Sequence, residues 1–326
     1  MKKFSLINIL MVIFFSIICY SQNDYEKIYS IIKKRPQTSI SLLGDSVQVV
    51  NIYKQQIISI FESRKSSEEE RINQFIDDVY FPYQEFWNNL FDENGFKKWI
   101  HKNWAKFQDI NSPGFLIPFK IDFDSLFIAT VTKVNKLTSR KPVGKWYLVY
   151  GTKVSNMGGF YNGDMFVDFF GIGNNGTEHL IFNLPHEINH QIFSKFNIDD
   201  RTLLYTILDE GFACYVNYLY WNKKFSPAKN INFTDEEWDW CIENEKKIFN
   251  FTKTYLDSTD RKIIYKFQRA NDYIFEGAPD RIAYFIGFRI CQAYVAEKGV
   301  ESWKRIYQLS PRELLDLSGY QKLISK

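Results

Sequence analysis

Leu184-Pro185-His186-Glu187-Ile188-Asn189-His190 is the stretch on which the reading of this chain turns. It holds two of only four histidines in 326 residues. On an α-helix, residues i and i+4 share a face. His186 and His190 can therefore aim two imidazoles at one point, and Glu187, one step round, can reach what lies there. The surroundings support a helix, because Leu180, Ile181, Leu184, Ile188, Ile192, Phe193 and Phe196 recur at helical spacing. Pro185 is the discord. It fits the first turn of a helix or kinks a longer one. In a chain so poor in histidine, such a five-residue match arises by chance roughly three times in a thousand. The plain alternative is two histidines on an ordinary helix.

The pattern H-E-x-x-H is that of zinc hydrolases. A catalytic zinc takes three protein ligands and keeps a position open for water. The third ligand is expected from the next helix. There Leu203, Leu204, Ile207, Leu208, Tyr215 and Tyr218 form a packing face, with Asp199 or Asp200 as the cap. Glu210 falls in this apolar run, an expensive place for an unpaired carboxylate, and a metal ion would remove that cost. Gly211 is unfavourable inside a helix, which points to close packing beside the site. The expected ligands are His186, His190 and Glu210, holding one Zn2+ per chain.

Working outward, residues 24 to about 110 read as helices, with a capping box at Ser67 and Glu70. Asn111-Ser112-Pro113-Gly114 is a break. Phe123 to Leu137 has helical spacing. Lys145 to Tyr150 and Met165 to Phe170 are strand-like, and Met157-Gly158-Gly159-Phe160 between them reads as a turn or a close backbone approach. Met165 to Phe170 is a candidate for pairing with an extended peptide. After Gly176 the chain looks helical, most clearly over Phe285 to Ala296 and Trp303 to Leu309. The expected class is α+β, helix-dominated.

The N-terminus, MKKFSLINILMVIFFSIICYSQND, has two lysines, a short apolar run and small residues, the pattern of a secretory signal peptide cleaved after Ser21. An uncleaved anchor and lipidation at Cys19 are less favoured, the latter because Ile18 is bulky. The chain is then secreted or periplasmic, with no integral membrane span after cleavage. The formal charge is +3, falling to +1 without Lys2 and Lys3. With no basic stripe, zinc-finger spacing or phosphate loop, nucleic acid is not an expected partner. Cys214, Cys241 and Cys291 are an odd set, not a disulfide framework, though one pair is left open. The expected organisation is a signal peptide over 1–21, an N-terminal helical region over 22–120 and a catalytic domain over 121–326.

His186 to His190 followed by Glu210 resembles the gluzincins, the thermolysin and aminopeptidase N types, whose zinc is held by two motif histidines and a glutamate on the following helix. Asp209-Glu210-Gly211-Phe212-Ala213 is similar to the second aminopeptidase N motif, with Asp209 where asparagine is usual. The exopeptidase stretch G-x-M-E-N is absent. From about Ile121 to Tyr320 the chain resembles a family of predicted zinc-dependent proteases, down to a segment like Asp280 to Arg289. The resemblance implies a zincin-like metallopeptidase fold and a hydrolase of a peptide or protein substrate, and the missing exopeptidase stretch favours endopeptidase action. Glu187 would be the general base for a zinc-activated water. Tyr284 would be the oxyanion donor.

Other residues take structural roles: His179 at a second rank, His101 in the fold, and Arg281 and Arg289 either on a substrate carboxylate or in helix-surface ion pairs. Two competing functions stand beside the peptidase. One is a non-catalytic cell-envelope or secretion component that retains a structural zinc. The other is a zinc hydrolase of a non-peptide amide. Residues 24 to 120 could also cover the site like a pro-segment. Oligomeric state is not legible.

Overall fold

A computed structural model describes residues 26–34, 41–44, 46–152, 156–160, 162–197, 200–269, 274 and 276–325. The leader, Cys19 and Asp199 lie outside the described residues. Short apolar runs build one five-stranded sheet in the order β1-β2-β3-β5-β4. Its strands are β1 (Ser41–Leu42), β2 (Val47–Asn51), β3 (Gly144–Val149), β4 (Met157–Gly159) and β5 (Met165–Asp168). β2, β3 and β5 are parallel, and β1 and β4 close the two sides antiparallel. Trp146, Tyr147, Leu148 and Val149, then Met165, Phe166 and Val167, are all buried. Such unbroken apolar runs belong to strands covered on both faces.

Three sequence expectations are corrected here. The N-terminal region is not purely helical, because its Val47-Gln48-Val49-Val50-Asn51 pairs along β3. Met157-Gly158-Gly159 is a strand rather than a turn. Two glycines hide it, since glycine weakens strand propensity. Met165 to Phe170 stops as a strand at Asp168, and β5 already has β3 and β4 on its two sides, so it has no free edge for a peptide. Asp168 ends it. Its buried carboxylate accepts from Gly151 N (2.8 Å), Phe170 N (2.9 Å) and Thr152 Oγ1 (2.6 Å), and a helix begins at Phe169.

The early residues are bound into the same core. Gln56 accepts from Tyr150 N (2.9 Å) and donates to Tyr150 O (3.0 Å). Trp99 Nε1 donates to Gly151 O (2.9 Å). Both ties anchor the end of β3. Helices dominate the rest, as the class expected. The capping box of Ser67 and Glu70 opens Glu68–Phe75, which continues as a π-turn over Ile76–Tyr80. Phe123–Thr138 is a helix capped by Asp122. Trp303 to Leu309 is covered by a 3-10 helix, Ser302–Gln308, rather than an α-helix. No helix among the described residues is long and apolar enough to cross a membrane. Cys214, Cys241 and Cys291 are free and buried, so the open disulfide does not form.

Three helices carry the residues of interest: the histidine helix Thr177–Phe196, the glutamate helix Leu203–Tyr220 and a third, Ile282–Lys298. Pro185 lies inside the histidine helix, two turns past its start. Thr202 caps the glutamate helix through Tyr205 N (3.1 Å), and Asp200 braces Thr202 instead of capping the helix itself. The glutamate helix and the third helix touch backbone to backbone. A Cβ on Gly211 would sit 2.1 Å from Gly287 C, and one on Gly287 would sit 1.8 Å from Ile207 O. Neither neighbour is a side chain that can turn aside.

Gly287→Ala is therefore expected to destabilise the fold by about 2 kcal/mol or more, the scale of overpacking a close-packed interior. Thermal unfolding followed by circular dichroism checks this. A melting temperature equal to wild type would show that the two helices do not cross this closely.

Candidate metal centre

The two histidines sit one turn apart, and their inner nitrogens meet: His186 Nε2 and His190 Nε2 are 2.9 Å apart. Glu210 Oε2 lies 3.5 Å from the first and 3.3 Å from the second. The structure thus brings the side chains of the three expected ligands together. Donor atoms around a tetrahedral ion with bonds of about 2.0–2.1 Å lie roughly 3.3 Å apart, and the observed separations bracket that figure. The chemistry of the set also fits a cation. Two imidazole nitrogens pointing at each other compete for one proton. Glu210 Oε2 is buried and lacks a hydrogen-bond partner among the described residues. Its Oε1 accepts from Gln268 Nε2 (3.3 Å).

The outer nitrogens are held as metal-ligating imidazoles usually are. His190 Nδ1 is 2.8 Å from Asp209 Oδ1. With the proton on Nδ1 donated to that carboxylate, the Nε2 lone pair faces inward. His186 Nδ1 is in weak contact with Cys214 Sγ (3.6 Å). Burial disfavours the charged form of His190, but the carboxylates of Asp209 and Glu210 outweigh it and hold its pKa well above the usual value. Burial likewise opposes ionisation of Glu210, yet the two histidines pull its pKa below the usual carboxylate range. A metal ion would have to displace the proton held on His190, so its affinity rises with pH.

The histidine helix is fixed from behind by side chains that sequence reasoning did not single out. Trp146 Nε1 on β3 donates to Gln191 Oε1 (2.8 Å), and Gln191 Nε2 donates to Gly163 O (3.1 Å). Tyr307 Oη donates to the fully buried Asn189 Oδ1 (2.5 Å). The signal was in the pattern: Asn189 and Gln191 are polar residues that flank the apolar positions Ile188 and Ile192. Asp209 was noted only as a departure from asparagine, and its role follows from its place one residue before Glu210.

A cavity of ≈ 340 Å³ opens onto the centre, and Glu187, Tyr284, His179 and Arg281 contribute to its wall. Burial pushes the Glu187 carboxyl upward, against the pull of the histidines. The Tyr284 ring lies almost parallel to that of His186, 6.2 Å away. Burial, then the charge of Glu210, raises its phenol well above the usual value. His179 is not a fourth ligand of the trio. It contacts Asn156 Nδ2 (3.2 Å) and Asn183 Nδ2 (3.1 Å), and burial lowers its pKa. Arg289 makes a two-pronged ion pair with Glu245 (2.7 and 3.1 Å). His101 pairs with Glu68 at the surface.

Against known proteins, the lipoprotein family model described as gliding motility protein GldB matches residues 161–322. No curated protein and no solved structure matches the chain. The match corrects the identification with gluzincin peptidases, because the family found is one of gliding motility and not of proteases. The expectations of a hydrolase, a metalloprotease and a peptide substrate fall with it. Glu187 as the general base of that reaction falls as well. The coarse class, α+β with helices dominant, is unaffected.

Removing the carboxylate behind a ligating histidine typically weakens metal binding 10- to 100-fold. If the trio holds zinc, Asp209→Asn is expected to weaken its binding by that factor, read by calorimetric titration of zinc into the purified chain. Equal affinity in the variant and wild type would remove Asp209 from the support of the centre.

Proposed function

We propose that this chain is a cell-envelope component of a gliding apparatus, with no catalytic part, in which His186, His190 and Glu210 hold a structural zinc ion. The observation that carries the reading is the match to the gliding motility family. Its span, 161–322, includes the histidine, glutamate and third helices. The donor geometry supports the metal. The ion would supply no more than a cross-link here: it would bond two side chains of the histidine helix to one of the glutamate helix and satisfy Glu210 Oε2. Binding of this kind contributes directly to folding.

The family model is of lipoproteins, and this bears on attachment. We place the lipid at Cys19, the alternative that the sequence reading ranked below a cleaved secretory signal peptide. An acyl anchor holds a folded domain at a membrane without a spanning helix. In cells fed a labelled fatty acid, the wild-type chain is expected to take up label and Cys19→Ala to take up none. Labelling that survives the substitution would exclude this anchor.

The function itself is tested in a gliding host. Deletion of the gene is expected to stop gliding, and the gene carrying Glu187→Gln is expected to restore it to the wild-type rate. Elemental analysis is expected to find about one zinc per chain, with Glu210→Ala losing it. If Glu187→Gln fails to restore movement while protein level and zinc content are normal, the non-catalytic reading is wrong. No zinc in the folded wild type would refute the metal alone.

A further inference from the structure

The wall of the cavity beside the metal centre is polar. With His186, Glu187 and Tyr284 it carries the side chains of Asn183, Asn232 and Arg281. Arg281 stands out among them. Arg289, two turns along the same helix, is clamped by Glu245, whereas Arg281 makes no ion pair or side-chain hydrogen bond among the described residues. Its backbone is left-handed (φ 55°, ψ 34°) at the cap of the third helix. That conformation is costly for a residue with a long side chain and tends to cluster at ligand sites. Arg281 and His179 both line the cavity.

A half-buried guanidinium facing a polar cavity calls for an anion, and its planar fork matches a carboxylate with two parallel hydrogen bonds. Neither Glu187, in the cavity wall, nor Glu210, outside it, meets that need. Glu210 is turned to the histidines and Gln268. Glu187 makes no ion pair with Arg281 among the described residues. We propose that the cavity binds the free carboxylate of a small polar ligand, with Arg281 as its anchor and the neighbouring asparagine amides bonding the remainder. A volume of ≈ 340 Å³ is at the lower end of small-molecule sites, the size of a dipeptide or an acidic monosaccharide. The inference rests on the metal centre being filled, because a cation there offsets the charge of Glu210, which would otherwise repel the anion.

The test is calorimetry on the zinc-loaded chain with two pairs of probes: acetyl-alanyl-alanine against its C-terminal amide, and glucuronate against glucose. In at least one pair the acid is expected to bind tenfold or more tightly than its neutral counterpart, and the pair that responds identifies the source of the carboxylate. Arg281→Asn, chosen because asparagine tolerates left-handed backbone, is expected to lose that preference while keeping its zinc. Should that variant fail to fold, Arg281→Lys, which keeps the charge but not the fork, is expected to bind the acid at least fivefold more weakly than wild type. Acid and neutral probes that bind alike in both pairs, or a variant that keeps the wild-type preference, would overturn the proposal. Zinc content measured on the same samples separates the two readings. Zinc-loaded protein indifferent to the acids sinks this inference alone, and protein without zinc sinks the metal reading.

Discussion

Everything near the cavity depends on one steric constraint, the contact of two helices through Gly211 and Gly287. With no Cβ on either residue, the glutamate helix and the third helix approach until backbone meets backbone. Glu210 precedes the first glycine, and Tyr284 lies three residues before the second. The crossing therefore carries a carboxylate and a phenol into the space that the histidine helix faces. The third helix begins at Ile282, so Arg281 is brought to the same cavity by the same contact. Glycine costs about 1 kcal/mol relative to alanine in a helix interior. Two such positions are retained here, in van der Waals contact, and what they allow is the meeting of groups from three helices.

The local parts of this arrangement were legible in the sequence, and the long-range parts were not. His186 and His190 were readable because helical periodicity alone puts them on one face. Glu210 was readable from the cost of a carboxylate in an apolar run, and Gly211 from its poor fit to a helix interior. The close approach it signalled is present, although nothing in the sequence named Gly287 as the partner. β4 was missed because Gly158 and Gly159 have no side chains to show a strand's alternation. β2 was missed because five residues preceding a helix of good periodicity were absorbed into it. Its pairing with β3 spans nearly a hundred residues, and no local pattern encodes such a partnership. The ties of Gln191 to Trp146 and of Asn189 to Tyr307 are invisible for the same reason.

The donor set and the motility match pose no conflict once the physical role of the donors is separated from chemistry. A buried carboxylate oxygen without a donor costs roughly 1–3 kcal/mol, and Glu210 Oε2 is such an atom. Two imidazole nitrogens 2.9 Å apart cannot both present lone pairs without cost. One cation would relieve both strains and tie the histidine helix to the glutamate helix. That benefit is the same whether or not a bond is ever broken beside it. The motif H-E-x-x-H reports that a helix can offer two ligands and a neighbouring carboxylate, and reaction and substrate must come from elsewhere. In this chain the wall of the cavity beside the trio carries Arg281, several asparagines and Glu187. A cavity so lined is suited to holding a polar ligand beside the three donor groups.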